Sequence, residues 1–408
     1  MRNFILVLAL LLLSTHLSAG VQHYNNILIG DRGASMGGAF IGLSDDTSGT
    51  YYNPAGITQP NSGGVSGSVN VVHIQRTTYE HAIRDNDWIR SSMELMPNFF
   101  GLVKSFGRHS FGASLANPDS FVEHQDQMFE NMPAVGTQEA IEQFSLNRHS
   151  NDSSYIFGPT YSYKLYEDLS IGMTLGYNYR KGRIQDDQTI WYSNNTYDNT
   201  YYSLQLSEHG IQPKLGVLWI INDKISLGFV LDRVFLFSSN YSNQIKTKAR
   251  TSNDMVYSTA SSKSKRNTGT HIGLGTAYRI TTPLLVSFDL NMYTPPVRDV
   301  FFPSGYTFVM NWALGLEYAF RSKDTARLGF YSNKTNMPQP TSSTTLVSHV
   351  DMYGVTAGYS LNYENTSFVL GLIYSAGKGS SQIYSEISTV VNTSTYYLTG
   401  LFSANYKF

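Results

Sequence analysis

Three histidines, His124, His149 and His209, stand in polar stretches crowded with serine and aspartate. A histidine beside such a group is the minimum for nucleophilic hydrolysis. The spacing around them does not build that chemistry. There is no His-Glu-x-x-His pair, and Ala376-Gly377-Lys378-Gly379-Ser380 lacks the spacing of a phosphate loop. The 408-residue chain has no cysteine, so disulfides and thiolate metal sites are excluded. A formal net charge of -1 offers no bulk attraction for nucleic acid. The expectation is a protein that is not an enzyme and needs neither metal nor cofactor.

The charged residues that remain share a phase. Arg180, Lys214, Asp289, Glu317 and Arg327, with His271 and Arg279, fall on the polar side of a two-residue repeat. Leu169, Ile171, Met173, Leu175, Tyr177 and Tyr179 alternate with Ser170, Gly172, Thr174, Gly176, Asn178 and Arg180. Met310, Trp312, Leu314, Leu316, Tyr318 and Phe320 form a second apolar row, and Phe408, Tyr406, Ala404, Phe402, Gly400 and Leu398 a third. A helix would repeat near 3.6. Soluble sandwiches also alternate, so composition has to decide. Charged residues are 14% of the chain, against roughly 25% in ordinary globular proteins. Aromatics reach 13%, with 29 Tyr and 22 Phe, beside 34 Gly. Low charge and many aromatics on alternating strands suit a transmembrane β-barrel, with lipid on one face and a polar lumen on the other.

Turn signals divide the chain into about fourteen strands, near 63–76, 96–106, 109–120, 153–165, 169–182, 203–220, 224–239, 266–280, 284–293, 309–320, 325–334, 349–361, 366–378 and 395–408. Short connections at 107–108, 166–168, 221–223 and 362–365 alternate with long polar ones at 121–152, 183–202 and 240–265. Short turns are expected on the periplasmic side and long loops outside, which puts both termini in the periplasm. Pro159 and Pro213 fall inside these strands and are expected to mark bulges or strand ends. Arg2, the apolar run Phe4 to Leu13 and the small residues up to Gly20 read as a secretory leader over 1–20. The expected organisation is then 21–61 as a separate small segment and 62–408 as the barrel. The final strand, ending in Phe408, resembles the signal read by the outer-membrane assembly machinery.

Residues 30–60 break the two-residue repeat. Gly30-Asp31-Arg32-Gly33-Ala34-Ser35-Met36-Gly37-Gly38 is small and Gly-rich, Ser44 to Ser48 includes Asp45-Asp46, and Tyr51-Tyr52-Asn53-Pro54-Ala55-Gly56 follows. Proline fixes φ and biases its predecessor away from helix, so Asn53-Pro54 imposes a turn. So short a stretch cannot bury a core of its own and must pack against something larger. The order and spacing of these elements resemble the N-terminal signature of the FadL/TodX family of outer-membrane transporters of hydrophobic compounds. Met96-Pro97-Asn98, Arg327-Leu328-Gly329-Phe330 and Tyr353-Gly354-Val355-Thr356-Ala357-Gly358-Tyr359 add to the likeness.

That resemblance implies a lumenal hatch made by 21–61, with gating residues Asn53, Pro54, Ala55 and Gly56 packed near a kinked third strand. It implies lateral release of ligand beside the kink, which falls here at Asn117 and Pro118, where the alternative is that the proline merely ends the strand. The ligand would be a fatty acid or an aromatic hydrocarbon, and the protein a monomer embedded in outer-membrane lipid. Arg180, Lys214 and Arg327 are candidates for holding a ligand carboxylate, or equally for pairing with carboxylates of the wall. A general porin or a surface adhesin is the alternative reading.

Overall fold

The computed structural model describes residues 23–408 apart from 61, 135–138, 253, 264, 266, 297–304, 322, 342–346 and 383–389. The expected leader, 1–20, lies outside the described residues. The strands are β1 (Gly64–Ile83), β2 (Asn86–Phe106), β3 (His109–Met132), β4 (Ile141–Lys164), β5 (Leu169–Tyr192), β6 (Tyr197–Asn222), β7 (Ile225–Arg233) and β8 (Phe235–Lys248). They continue with β9 (Met255–Ser262), β10 (Thr270–Arg279), β11 (Leu284–Tyr293), β12 (Val309–Ala319), β13 (Thr325–Asn333), β14 (Ser348–Tyr363), β15 (Thr366–Ser381) and β16 (Val391–Lys407).

All pairings are antiparallel, and β16 closes on β1 from Gly64↔Lys407 to Tyr79↔Thr393. The long β6 pairs with β7 at one end and β8 at the other, so β7 and β8 are two halves of one strand broken at Val234. Likewise β9 pairs with β8 and β10 with β7, on either side of 263–269. β1–β6 and β11–β16 are single strands, and these two composite ones bring the closed ring to fourteen. Each strand expected from the sequence overlaps one of them.

Residue parity builds the two faces. On β5, Ile171, Met173 and Leu175 point outward at 43%, 41% and 44% exposure, while Ser170, Thr174 and Arg180 are buried inside. The same holds on β15, where Phe368, Leu370, Leu372 and Tyr374 face out. A charge on a lipid-facing position costs ~2–4 kcal/mol at the bilayer midplane, which is why the charges keep to the inner phase. The resulting outer belt is of the kind that meets hydrocarbon in barrels.

The polar stretches expected as loops are instead mostly strand. β3 and β4 stay paired out to Met132↔Ile141, β5 and β6 to Trp191↔Tyr197, and β8 runs to Lys248. Above the apolar belt neither face meets lipid, so the apolar-polar contrast that marks a strand disappears although backbone pairing continues. Residues 77–95 form a further hairpin, turning at Arg84 and Asp85 with positive φ of 42° and 70°. Inside these extensions Tyr79, Trp88, Phe144 and Leu146 make a small apolar core.

The two prolines sit at ladder interruptions, as proline's missing N–H requires. β4 and β5 pair at Phe157↔Tyr177 and next at Thr160↔Thr174, skipping Gly158 and Pro159. Pro213 falls between the β6–β8 pairs, which end at Ile211, and the β6–β7 pairs, which begin at Lys214.

The N-terminal segment carries α1 (Arg32–Ser35), α2 (Gly49–Tyr52) and a 3-10 turn, Pro54–Thr58. It runs along the inner face of the ring. Its backbone is hydrogen-bonded by Asn98 of β2, Ser162 of β4, Thr174 of β5, Asp289 of β11 and Thr356 of β14.

Candidate functional site

The backbone ladder of the wall is interrupted between β2 and β3. The β2–β3 ladder runs from Phe106↔His109 to Phe99↔Ala116 and then stops. On its other side β3 shifts register against β4 between Ala116 and Asp119. Asn117 and Pro118 occupy that shift, and Pro118 has no N–H with which to continue a ladder. Beyond them, side chains join β2 to β3. Glu94 accepts from the Val122 N–H (2.7 Å) and the Ser120 hydroxyl (2.8 Å). Arg90 forms a two-pronged pair with Glu123 (2.9 and 2.6 Å), and the Gln125 amide donates to the Ile89 carbonyl (3.0 Å). Side-chain bridges can open without unzipping backbone, which makes this seam the weakest-tied part of the β2–β3 pair.

Behind the seam lies a cavity of about 240 Å³ that reaches Pro118 and Asp119. The N-terminal segment supplies Tyr24, Ile27, Ile29 and Tyr51, and the barrel supplies Ile156, Lys214, His271 and Tyr293. Tyr24 stacks on Tyr293 with centroids 3.8 Å apart, and His271 stacks on Tyr293 at 4.6 Å. Lys214, Asp232 and His271 of this lining engage one another. Lys214 donates to the Tyr51 carbonyl (2.6 Å) and stands 3.3 Å from Asp232, which also meets His271 at 2.7 Å.

The Asn-Pro-Ala-Gly turn is held by its own chemistry. Asn53 is buried, donates to the carbonyls of Ile41 (2.9 Å) and Val217 (3.0 Å), and accepts from the Ala55 N–H (3.1 Å). Val217 lies on β6, and the Pro54 carbonyl accepts from the Ser162 hydroxyl of β4. Two wall glycines permit the approach. A Cβ on Gly216 would stand 2.1 Å from the side-chain Oδ1 of Asn53, and one on Gly172 would stand 2.6 Å from the Ala55 nitrogen. Further along the segment, Arg32 grips Glu317 with two hydrogen bonds (2.7 and 2.8 Å) and Asp45 with a third (2.6 Å). In the same segment, Asp46 accepts from the N–H of Ser48 ahead of α2 (2.7 Å). Burial, with Asp31 nearby and against the pull of Arg32, pushes the Asp46 carboxyl up to about 6.

Of the three lumen cations singled out in the sequence, only Lys214 lines the cavity. Arg180 is buried against Asp152 (2.9 and 2.6 Å), and Arg327 bonds Glu317 (2.7 Å) beside a separate polar recess that also includes Asp31, Asp45 and Arg279. Asp289 accepts from the N–H groups of Phe40 and Ile41, both at 2.7 Å. His124 and His149 face each other at 2.8 Å, and His209 meets the Tyr177 hydroxyl at 2.7 Å. Reasoning from sequence missed Glu94 and Tyr24. Glu94 carried a usable signal, because it is a lone carboxylate within Met93-Glu94-Leu95-Met96.

No protein-family model and no curated relative matches the chain. Solved structures do match. A CymD monoaromatic hydrocarbon channel aligns with a TM-score of 0.62 at 13% identity, over 94% of this chain and 99% of that one. The toluene transporter TodX of P. putida aligns at 0.66 and 12% identity, over 93% and 98%. A FadL homologue of Pseudomonas aeruginosa aligns at 0.59 and 12%, over 93% and 98%. Likeness at such identity is likeness of fold: this chain shares their barrel from end to end.

Proposed function

We propose that this chain is an outer-membrane channel of the FadL/TodX type, through which small hydrophobic compounds pass by facilitated diffusion. The observation that carries this reading is the aromatic-lined cavity ending at Pro118, where the β2–β3 ladder is missing. A hydrophobe in that cavity adjoins the seam and gains by moving sideways into hydrocarbon, whereas an axial exit leads it into water. Residues 21–61 serve as the hatch that closes the axial route, and Asn53-Pro54-Ala55-Gly56 anchors the hatch to the wall. Capture takes place among the outward extensions of the strands, whose inner core of Tyr79, Trp88 and Phe144 offers an apolar foothold. Both termini lie on the periplasmic side with the short turns.

Cavity size and chemistry bear on the ligand. A void of roughly 150 Å³ holds one benzene, so 240 Å³ accommodates a substituted monoaromatic compound. Lys214 is already engaged by Asp232 and the Tyr51 carbonyl, and stacked tyrosines favour an uncharged ring. Liposomes containing the purified barrel should take up a monoaromatic hydrocarbon faster than empty liposomes, while a sugar of similar mass stays outside. Sugar permeation as fast as that of the hydrocarbon would replace the channel with a general porin.

A further inference from the structure

The outer wall carries a second feature, unrelated to the cavity. Along β5 the outward row reads Ile171, Met173, Leu175, Tyr177, Tyr179, then Lys181 and Arg183. The same change from apolar to polar occurs at matching height on neighbouring strands. Tyr155 gives way to Ser153 on β4, paired with Tyr179 and Lys181 in turn. On β8 the exposed Phe235 and Phe237 give way to Asn240 and Ser242. Aromatic residues gather at the membrane interface, so Lys181 and Arg183 stand one step above it, at headgroup depth.

At that height the two cations border a groove of about 540 Å³ that crosses β5, β6, β8 and β9. Lys181 pairs across the ladder with Ser207 and Arg183 with Gln205, followed by Asn240, Ser242 and Ser261 on the next strands, and Lys263 stands at the far rim. On the β4 side their partners are Ser153 and Asn151. None of these neighbours is acidic. Lys181, Arg183 and Lys263 make no ion pair among the described residues, whereas the inward Arg180 beside them is clamped by Asp152. Cations left unpaired within a recess lined by hydroxyl and amide groups present a site for an anion that also carries hydroxyls.

We propose that this groove binds the phosphorylated sugar headgroup of an outer-leaflet glycolipid. Lys181 and Arg183 take the phosphate through charge-assisted hydrogen bonds, and Gln205, Asn240 and Ser242 meet the sugar hydroxyls. The inference rests on the reading above that the chain spans the outer membrane with its long strand ends outward. Free phosphate offers the same charge but lacks both the acyl chains, which would lie along Leu175 and Phe237, and the sugar.

The test is native mass spectrometry of the detergent-solubilised barrel titrated with bis-phosphorylated lipid A. Wild type should retain the lipid, and the double variant Lys181→Gln/Arg183→Gln should bind about tenfold more weakly, the loss expected from removing charged hydrogen bonds. Lipid A stripped of its phosphates should bind wild type as weakly, and excess inorganic phosphate should not displace the intact lipid. Equal binding by the double variant or by the dephosphorylated lipid would overturn the site, as would displacement by inorganic phosphate. Hydrocarbon uptake by the double variant in liposomes of phospholipid alone should match wild type. That readout separates the groove from the channel: either can fail while the other stands.

Discussion

Asn53 uses both ends of its buried amide, and Glu94 uses both carboxylate oxygens, yet their replacement should have opposite effects. Asn53→Ala strands the carbonyls of Ile41 and Val217 inside the barrel, and a buried polar group left unsatisfied costs about 1–3 kcal/mol. Proteolysis of residues 30–60 should quicken while the heat-modifiable barrel persists on gels; an equally resistant segment would show that the turn is not its anchor. Glu94→Ala removes the ties to Val122 and Ser120 from a wall that lacks backbone ladder there. Hydrocarbon uptake should rise with sugar still excluded, and an unchanged rate would take this part of the seam off the route.

Asp46 adds a pH dependence. Its carboxyl titrates at about 6 when folded, against ~3.9 in an unfolded chain, so the folded state binds the proton more tightly. The stability it contributes is fully present below about pH 4 and is lost as pH rises through about 6, leaving a half-buried charge above that. Asp46→Asn keeps the oxygen that accepts from Ser48. Amide exchange of residues 44–52 should therefore be slower than wild type near neutral pH and equal to it near pH 4. The same gain at both values would contradict a titrating Asp46.

At the scale of elements, the decisive pair is β2 and β3. Their backbone ladder is continuous at the short-turn end, and side chains replace it beyond Ala116. Because the chain has no native cysteine, Glu94→Cys with Ser120→Cys can be joined cleanly by a cleavable thiol linker. The linked barrel should lose hydrocarbon uptake and regain it when the linker is cut. Full uptake in the linked form would move the exit elsewhere in the wall. Elements also explain what pattern reading overlooked. The strand extensions at 121–132, 141–152 and 183–192 keep their pairing but have polar residues on both faces, so no two-residue contrast marked them.

For the molecule as a whole, orientation follows from connection length. The short turns gather at the end where β16 finishes, with the Lys407 N–H bonded to the Asn365 carbonyl at 2.7 Å. Single cysteines placed in 183–202 should react with an impermeant reagent on intact cells, and one at Asp223 only after the outer membrane is opened. The reverse pattern would invert the barrel and move the lipid groove to the inner leaflet.

Sequence alone determined the strand count, the inward phase of Arg180, Lys214, Asp289, Glu317 and Arg327, and the singular character of 30–60, because lipid on one side imposes a strict two-residue code. It also marked the Asn117-Pro118 break, since proline cannot donate to a ladder. Tertiary structure alone decided which inward charges meet. Parity says that Arg180 and Lys214 share a lumen, but it does not say that Asp152 takes one and Asp232 the other. Nor could spacing reveal that Tyr24 and Tyr293, 269 positions apart in the chain, stack face to face. That contact depends on how the N-terminal segment crosses the ring, and its path is set by the glycines and carboxylates of many strands at once.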